Sequence, residues 1–125
     1  MNDEASESGH VDQMLQKFGA SRIIIAHTPM PGVVYPRFDG RVLLADVGMS
    51  EYYGGWLACV VIENGEFFAL HRGQKVPLPG EGDKARIEYL KAVAEIDPQP
   101  AALFTLIENL EGPDNVPADV PDPAQ

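Results

Sequence analysis

Few side chains in this 125-residue chain are equipped for chemistry, and they are scattered: three histidines, one cysteine and a set of isolated carboxylates. Histidine transfers protons near neutral pH or ligates metals. Cysteine is a nucleophile only as its thiolate. His27 directly follows Ile23-Ile24-Ile25-Ala26, so it stands at the carboxyl end of an apolar run. In open α/β sheets that edge is where ligands bind. Position alone leaves two readings open: a satisfied, partly buried strand-end histidine, or a site residue pointing into a cleft. His71 reads as a strand-end polar residue beside Arg72 and Gly73, and His10 as a solvated residue at the start of a helix. Cys59, inside Leu57-Ala58-Cys59-Val60-Val61, reads as an inert core residue with no adjacent base to lower its pKa. The spacing of His10, His27, Cys59 and His71 is too wide and irregular to favour a zinc site.

Asp46 interrupts Val42-Leu43-Leu44-Ala45. A carboxylate there must be paired, hydrogen-bonded or exposed in a site. Tyr52-Tyr53-Gly54-Gly55 is either a flexible turn over the sheet end or a loop that shapes a cleft. Thr28, Asp46, Tyr52 and Tyr53 are therefore candidates to line a cleft around His27. No Gly-rich phosphate loop, Cys-x-x-Cys or His-Glu-x-x-His occurs, which excludes the corresponding nucleotide and zinc-protease readings.

The elements that must position these residues are legible from periodicity. Val11, Met14, Leu15 and Phe18 fall at i, i+3, i+4 and i+7, which predicts a helix over about 10–18 with Gly19 ending it. Residues 22–26 predict a strand buried on both faces. Pro29, Pro31, Gly32, Pro36 and Gly40 make 28–40 a loop, with a short extended piece at 33–35. Residues 41–47, 56–62 and 66–71 are further strands. Asn64-Gly65 between the last two is a strong hairpin signal, because both central residues of a type I′ turn need positive φ. Ile87, Leu90, Val93 and Ala94 predict a helix over 83–95 with Asp83 as N-cap. Leu103, Leu106, Ile107 and Leu110 predict a last helix. The order α-β-β-β-β-α-α is a mixed α/β arrangement.

The formal charge of −10 is concentrated at the ends. Residues 1–8 hold three acids and no base, and residues 108–125 hold five acids and no base. The expected organisation is an acidic disordered N-terminus over 1–9, a folded body over 10–111 and an acidic, proline-rich tail over 112–125. The middle, residues 9–107, is nearly balanced with 11 acids against 9 bases, so no basic face is available for nucleic-acid phosphates or an anionic membrane surface. No apolar run is long enough to cross a bilayer, and the acidic N-terminus cannot be the basic region of a signal peptide. A cytoplasmic location is expected. The single cysteine excludes an intrachain disulfide.

The segment Arg22-Ile23-Ile24-Ile25-Ala26-His27-Thr28-Pro29 resembles the final motif of calcineurin-like metallophosphoesterases, an apolar strand followed by Gly-His-Thr. The stretch from Phe38 through Asp46-Val47-Gly48-Met49-Ser50 to Tyr52-Tyr53-Gly54-Gly55 resembles the segment after that motif in the bacterial phosphoprotein-phosphatase-like branch, the Shewanella-like phosphatases. The resemblance covers residues 11 to about 73 well, and the helical part to about 110 loosely. Gly-His-Thr alone is weakly specific; its combination with the Asp-x-Gly-Met segment is much more so.

The resemblance implies part of a four-layer αββα fold. In the intact family it implies two metal ions (Mn, Fe or Zn) that activate a water against a phosphorylated substrate, with His27 matching the last metal-ligand histidine. Ala26 stands where the family has glycine, which adds a methyl at a crowded turn. The family's earlier motifs are absent from residues 1–26. The chain is thus expected to be the C-terminal portion of a phosphoesterase, from a truncated gene product or an incomplete reading of the gene. It is expected to be inactive alone and to bind no metal stably. The alternative is a non-catalytic small α/β module that binds a protein partner.

Overall fold

The structure, a computed structural model, describes residues 4–30 and 32–112. Among them are α1 (Glu4–Phe18), β1 (Ile23–Ile25), β2 (Tyr35–Arg37), β3 (Val42–Leu44), a 3-10 turn (Glu51–Tyr53), β4 (Ala58–Glu63), β5 (Glu66–His71), β6 (Gln74–Pro77), α2 (Asp83–Ile96) and α3 (Ala101–Glu111). The class is mixed α/β, with two three-stranded sheets ordered β1-β3-β2 and β4-β5-β6.

α1 begins at Glu4, six residues before the expected start. The residues read as a disordered acidic end are therefore helical from Glu4 onward, while residues 1–3 lie outside those described. Two acids in its first turn suit the positive end of the helix dipole, and Glu4 also finds partners in the body. The helix ends as Gly19 implies. Gly19 adopts φ 60° and donates to Gln16 O at 3.2 Å, while Ala20 N–H reaches Leu15 O at 2.9 Å, the paired bonds of a Schellman cap. Only half of the apolar stripe is covered. Val11 and Leu15 are buried, whereas Met14 and Phe18 are 50% and 72% exposed.

β1 runs parallel to β3, pairing Ile23 with Val42 and Ile25 with Leu44. β2 runs antiparallel to β3 and puts Pro36 opposite Leu43. An edge strand tolerates that proline, because its missing N–H need not serve a neighbour. The expectation that residues 22–26 are buried on both faces is corrected: β1 is the other edge, and Ile24 and Ile25 remain 45% and 38% exposed. β3, between two partners, is the buried strand.

In the second sheet Asn64 and Gly65 take φ 51° and 78°, the left-handed pair that the Asn-Gly signal requires. No comparable sign of β6 is legible in the sequence. Arg72 and Gly73, at φ 51° and 82°, make a second turn of the same kind, and β6 then pairs with β5 from Phe68–Pro77 to His71–Gln74. Cys59 is exposed rather than in the core, because period-2 alternation sends Ala58 inward and Cys59 outward.

α2 starts at Asp83, with Gly82 rather than Asp83 at the cap position. Gly82 N–H is held by Asp39 Oδ1 at 2.9 Å, which ties the helix start to the β2–β3 turn. Tyr89, Leu90, Val93 and Ala94 of α2 and Leu103 and Ile107 of α3 bury their faces in one core with Val33, Val34, Val42, Leu44, Val47, Ala58 and Ala69. The Tyr89 hydroxyl donates to Val34 O at 2.8 Å, and burial pushes its pKa up. Residues 113–125, read as an acidic tail, lie outside the described residues.

Candidate functional site

The parallel pairing of β1 and β3 sets two chain ends side by side. Ala45 N–H donates to Ile25 O at 2.8 Å, and Met30 N–H donates to Asp46 O at 2.8 Å. His27 after β1 and Asp46 after β3 therefore leave the sheet at the same, carboxyl edge. His27 is exposed, which decides against a buried strand-end histidine. Its backbone sits at φ 66°, in the left-handed region where a non-glycine residue is strained. The sharp turn falls on His27 itself. Ala26 is exposed and outside the left-handed region. Thr28, the next residue, is exposed as well.

Asp46 is half-buried and partly committed. Its Oδ1 accepts from Gly48 N–H at 3.1 Å, closing a local turn. Gly48 is required there, since a Cβ would lie 2.7 Å from Tyr53 Cβ and φ is 67°. The tyrosine loop is ordered by its own bonds. Tyr53 N–H and Gly55 N–H both reach Ser50 O, at 3.0 and 2.9 Å. Tyr53 O accepts from Trp56 Nε1 at 3.0 Å. Tyr52 and Tyr53 meet edge to face with centroids 5.0 Å apart, and both are exposed. Trp56 in turn packs over Gly32 in the loop that follows His27. The structure thus gathers the loops bearing His27, Thr28, Asp46, Tyr52 and Tyr53 at one edge of the first sheet, with Tyr53 tied to Asp46 through Gly48.

These residues do not by themselves fit a dinuclear metal centre. His27 supplies one imidazole, Asp46 already accepts a backbone hydrogen bond, and among the described residues no three His, Cys, Asp or Glu side chains converge. A groove of about 600 Å³ lies at the opposite edge of the same strands, lined by Ser21, Arg22, Asp39, Arg41, Phe67 and Pro77 among others. Its two arginines are occupied: Arg22 bonds Gly40 O and stacks on Phe67 at 4.7 Å, and Arg41 bonds Asp12, Ser8 and Phe38 O.

Two polar clusters escape sequence reasoning. His71 is buried at the end of β5, and its Nε2–H donates to Asp97 Oδ2 at 2.6 Å. Asp97 also accepts from Gln99 N–H at 2.8 Å and faces Arg72 at 3.5 Å. Burial alone would raise the Asp97 carboxyl; the bonds from Gln99 and His71 and the charge of Arg72 outweigh it and hold the pKa below its ordinary value. The second cluster is Glu4 with Arg37 and Arg86. Burial would raise the Glu4 carboxyl too, but the Arg37 bond, the Arg86 charge and the Phe38 N–H lower it. His10 is exposed and bonds Glu7 one helical turn earlier, with Nδ1 2.9 Å from Oε2.

No protein-family model, no curated protein and no solved structure matches the chain.

Proposed function

We propose that the chain is the C-terminal portion of a calcineurin-like metallophosphoesterase that hydrolyses phosphate monoesters, with His27 as one of its metal-ligand positions. The supporting observation is the placement of His27: exposed, on a strained backbone turn, at the carboxyl end of a parallel strand and at the same edge as Asp46. Those are the residues that carry the sequence resemblance. Parallel strands are ordinarily covered on both faces. Exposed Ile24 and Ile25 on an edge with no partner strand among the described residues suit a β1 that further chain of the αββα layers would cover. His27 alone cannot assemble the metal pair, so no hydrolytic step is assigned to this chain by itself. Thr28, Tyr52 and Tyr53 would line the cleft on the substrate side. A phosphorylated substrate and a cytoplasmic location belong to this reading. Among the described residues no helix is long and apolar enough to cross a membrane.

Two experiments test it. The DNA upstream, in every frame, should encode the missing Asp-x-His, Gly-Asp-x-x-Asp-Arg-Gly and Gly-Asn-His-Glu motifs; their absence removes the reading. Co-expression with that upstream segment should give manganese-dependent turnover of p-nitrophenyl phosphate that His27→Ala abolishes. Clear turnover by the chain alone would overturn its assignment as incomplete.

The β1 edge, without a partner strand among the described residues, also favours a second reading, a non-catalytic module that adds a partner strand. Cooperative, reversible unfolding of a monodisperse protein supports the module. Broad unfolding with dye binding supports the incomplete domain.

A further inference from the structure

Donors from three neighbouring places converge on one carboxylate. Glu4 Oε1 accepts from Arg37 Nε of β2 at 2.8 Å. Glu4 Oε2 accepts from Phe38 N–H at 3.2 Å and from Arg86 Nη2 of α2 at 3.3 Å. The donors are held from behind. Arg86 is only 8% exposed, and its guanidinium lies 5.5 Å from the Tyr35 ring centroid. The Arg37 guanidinium lies 5.1 Å from the Phe38 ring. Two guanidinium groups fixed on aromatic faces, with a backbone N–H between them, form the kind of donor set that recognises phosphate and carboxylate oxygens.

The acceptor, by contrast, sits on an element with a light hold on the body. Glu4 is in the first turn of α1, and the helix buries only Val11 and Leu15. Further ties from the helix to the body include the polar bonds of Arg41 to Ser8 and Asp12. The Glu4 carboxylate meets three donors with two oxygens and one charge. A tetrahedral phosphate dianion offers more of both to the same donors. Asp83 stands 3.7 Å from Arg86 Nη1 on its far nitrogen, and does not take the place of Glu4.

We infer that Arg37, Arg86 and the Phe38 N–H form an oxyanion site that Glu4 fills in cis, and that a phosphate-type anion competes with Glu4 for it and frees the first turn of α1. The assignment is independent of the phosphoesterase reading, since none of these residues lies at the His27 edge.

The test uses the full chain and inorganic phosphate, with sodium chloride at matched ionic strength as control. By calorimetric titration, Glu4→Gln should bind phosphate at least about tenfold more tightly than the wild type, because the internal competitor is gone. Adding Arg37→Met to Glu4→Gln should remove that gain. No gain in Glu4→Gln, or an equal gain in the double variant, overturns the site. A second measurement stands even if Glu4→Gln does not fold. In the wild type, phosphate should speed amide hydrogen exchange over residues 4–9 relative to chloride, and unchanged exchange overturns the competition. Phenyl phosphate in place of inorganic phosphate separates the two sources of the anion: equal binding assigns a phosphate-ester site, and binding of inorganic phosphate alone assigns a free-phosphate site.

Discussion

His71 Nε2 and Asp97 Oδ2 are 2.6 Å apart with both side chains out of contact with solvent. The bond joins the end of β5 to the residue that follows α2, so it fastens the second sheet to the helical layer. Asp97 keeps its pKa below the ordinary carboxyl value because the folded state supplies Gln99 N–H, His71 and Arg72 against the opposing effect of burial. The folded protein therefore binds this proton less readily than the unfolded chain. The resulting stability is present above the unfolded carboxyl value and is lost as pH falls through the folded one. Asp97→Ala should cost about 3 kcal/mol at pH 7, since it leaves a buried donor unmet. Its urea midpoint should also lose part of the wild-type decline in acid. A parallel decline in both proteins would show that Asp97 does not drive it.

The two left-handed turns of the second sheet make a matched pair. Gly65 and Gly73 have φ 78° and 82°, with open space where a Cβ would stand, so alanine there meets strain without a clash. Gly65→Ala and Gly73→Ala should each cost about 1–2 kcal/mol in chemical denaturation. Gly80, with no left-handed φ and no neighbour within 4 Å, is the control. Gly80→Ala should be neutral or stabilising by up to about 1 kcal/mol. A cost at Gly80 equal to that at Gly73 would refute the backbone explanation.

That pair also shows where local chemistry stops being legible. Asn64-Gly65 announces its turn because Asn and Gly both favour left-handed backbone. Arg72 carries no such preference; its turn is imposed by the pairing of β5 with β6, which is a tertiary fact. The same division runs through the site. The apolar run before His27 and the break at Asp46 place both residues at strand ends, and the strand pairing puts those ends at one edge. Nothing in the spacing of Glu4, Arg37 and Arg86 could bring them together. An acidic segment at a chain end has the composition of a solvated tail, and only the folded position of two distant arginines makes Glu4 a half-buried partner. Ile24 and Ile25 mislead in the opposite direction, since β-branched residues mark a strand but not whether it is an edge.

Ile24 on β1 is the test of that edge. An apolar side chain that stays half in water contributes little to folding and much to self-association. Ile24→Thr keeps the β-branch and should change the urea midpoint by no more than the equivalent of about 0.5 kcal/mol. It should also lower light scattering at high protein concentration. In contrast Leu90→Ala, at a fully buried position of α2, should cost about 2–5 kcal/mol. A loss at Ile24 comparable to that at Leu90 would mean that β1 is covered.

His27 holds a backbone that its residue type does not prefer. At φ 66° a side chain with a Cβ is strained, and glycine is not. His27→Ala removes the imidazole but keeps the strain. His27→Gly removes both, at the cost of a more flexible unfolded chain. His27 is also exposed, so neither substitution opens a cavity. His27→Gly should therefore be more stable than His27→Ala by about 0.5–1 kcal/mol, the balance of strain relief against unfolded-state entropy. Comparing the two variants by urea denaturation isolates the backbone contribution, because both lack the ring. Equal stabilities would show that the turn at His27 carries no strain, and the placement of the imidazole would then need no support from the surrounding loop.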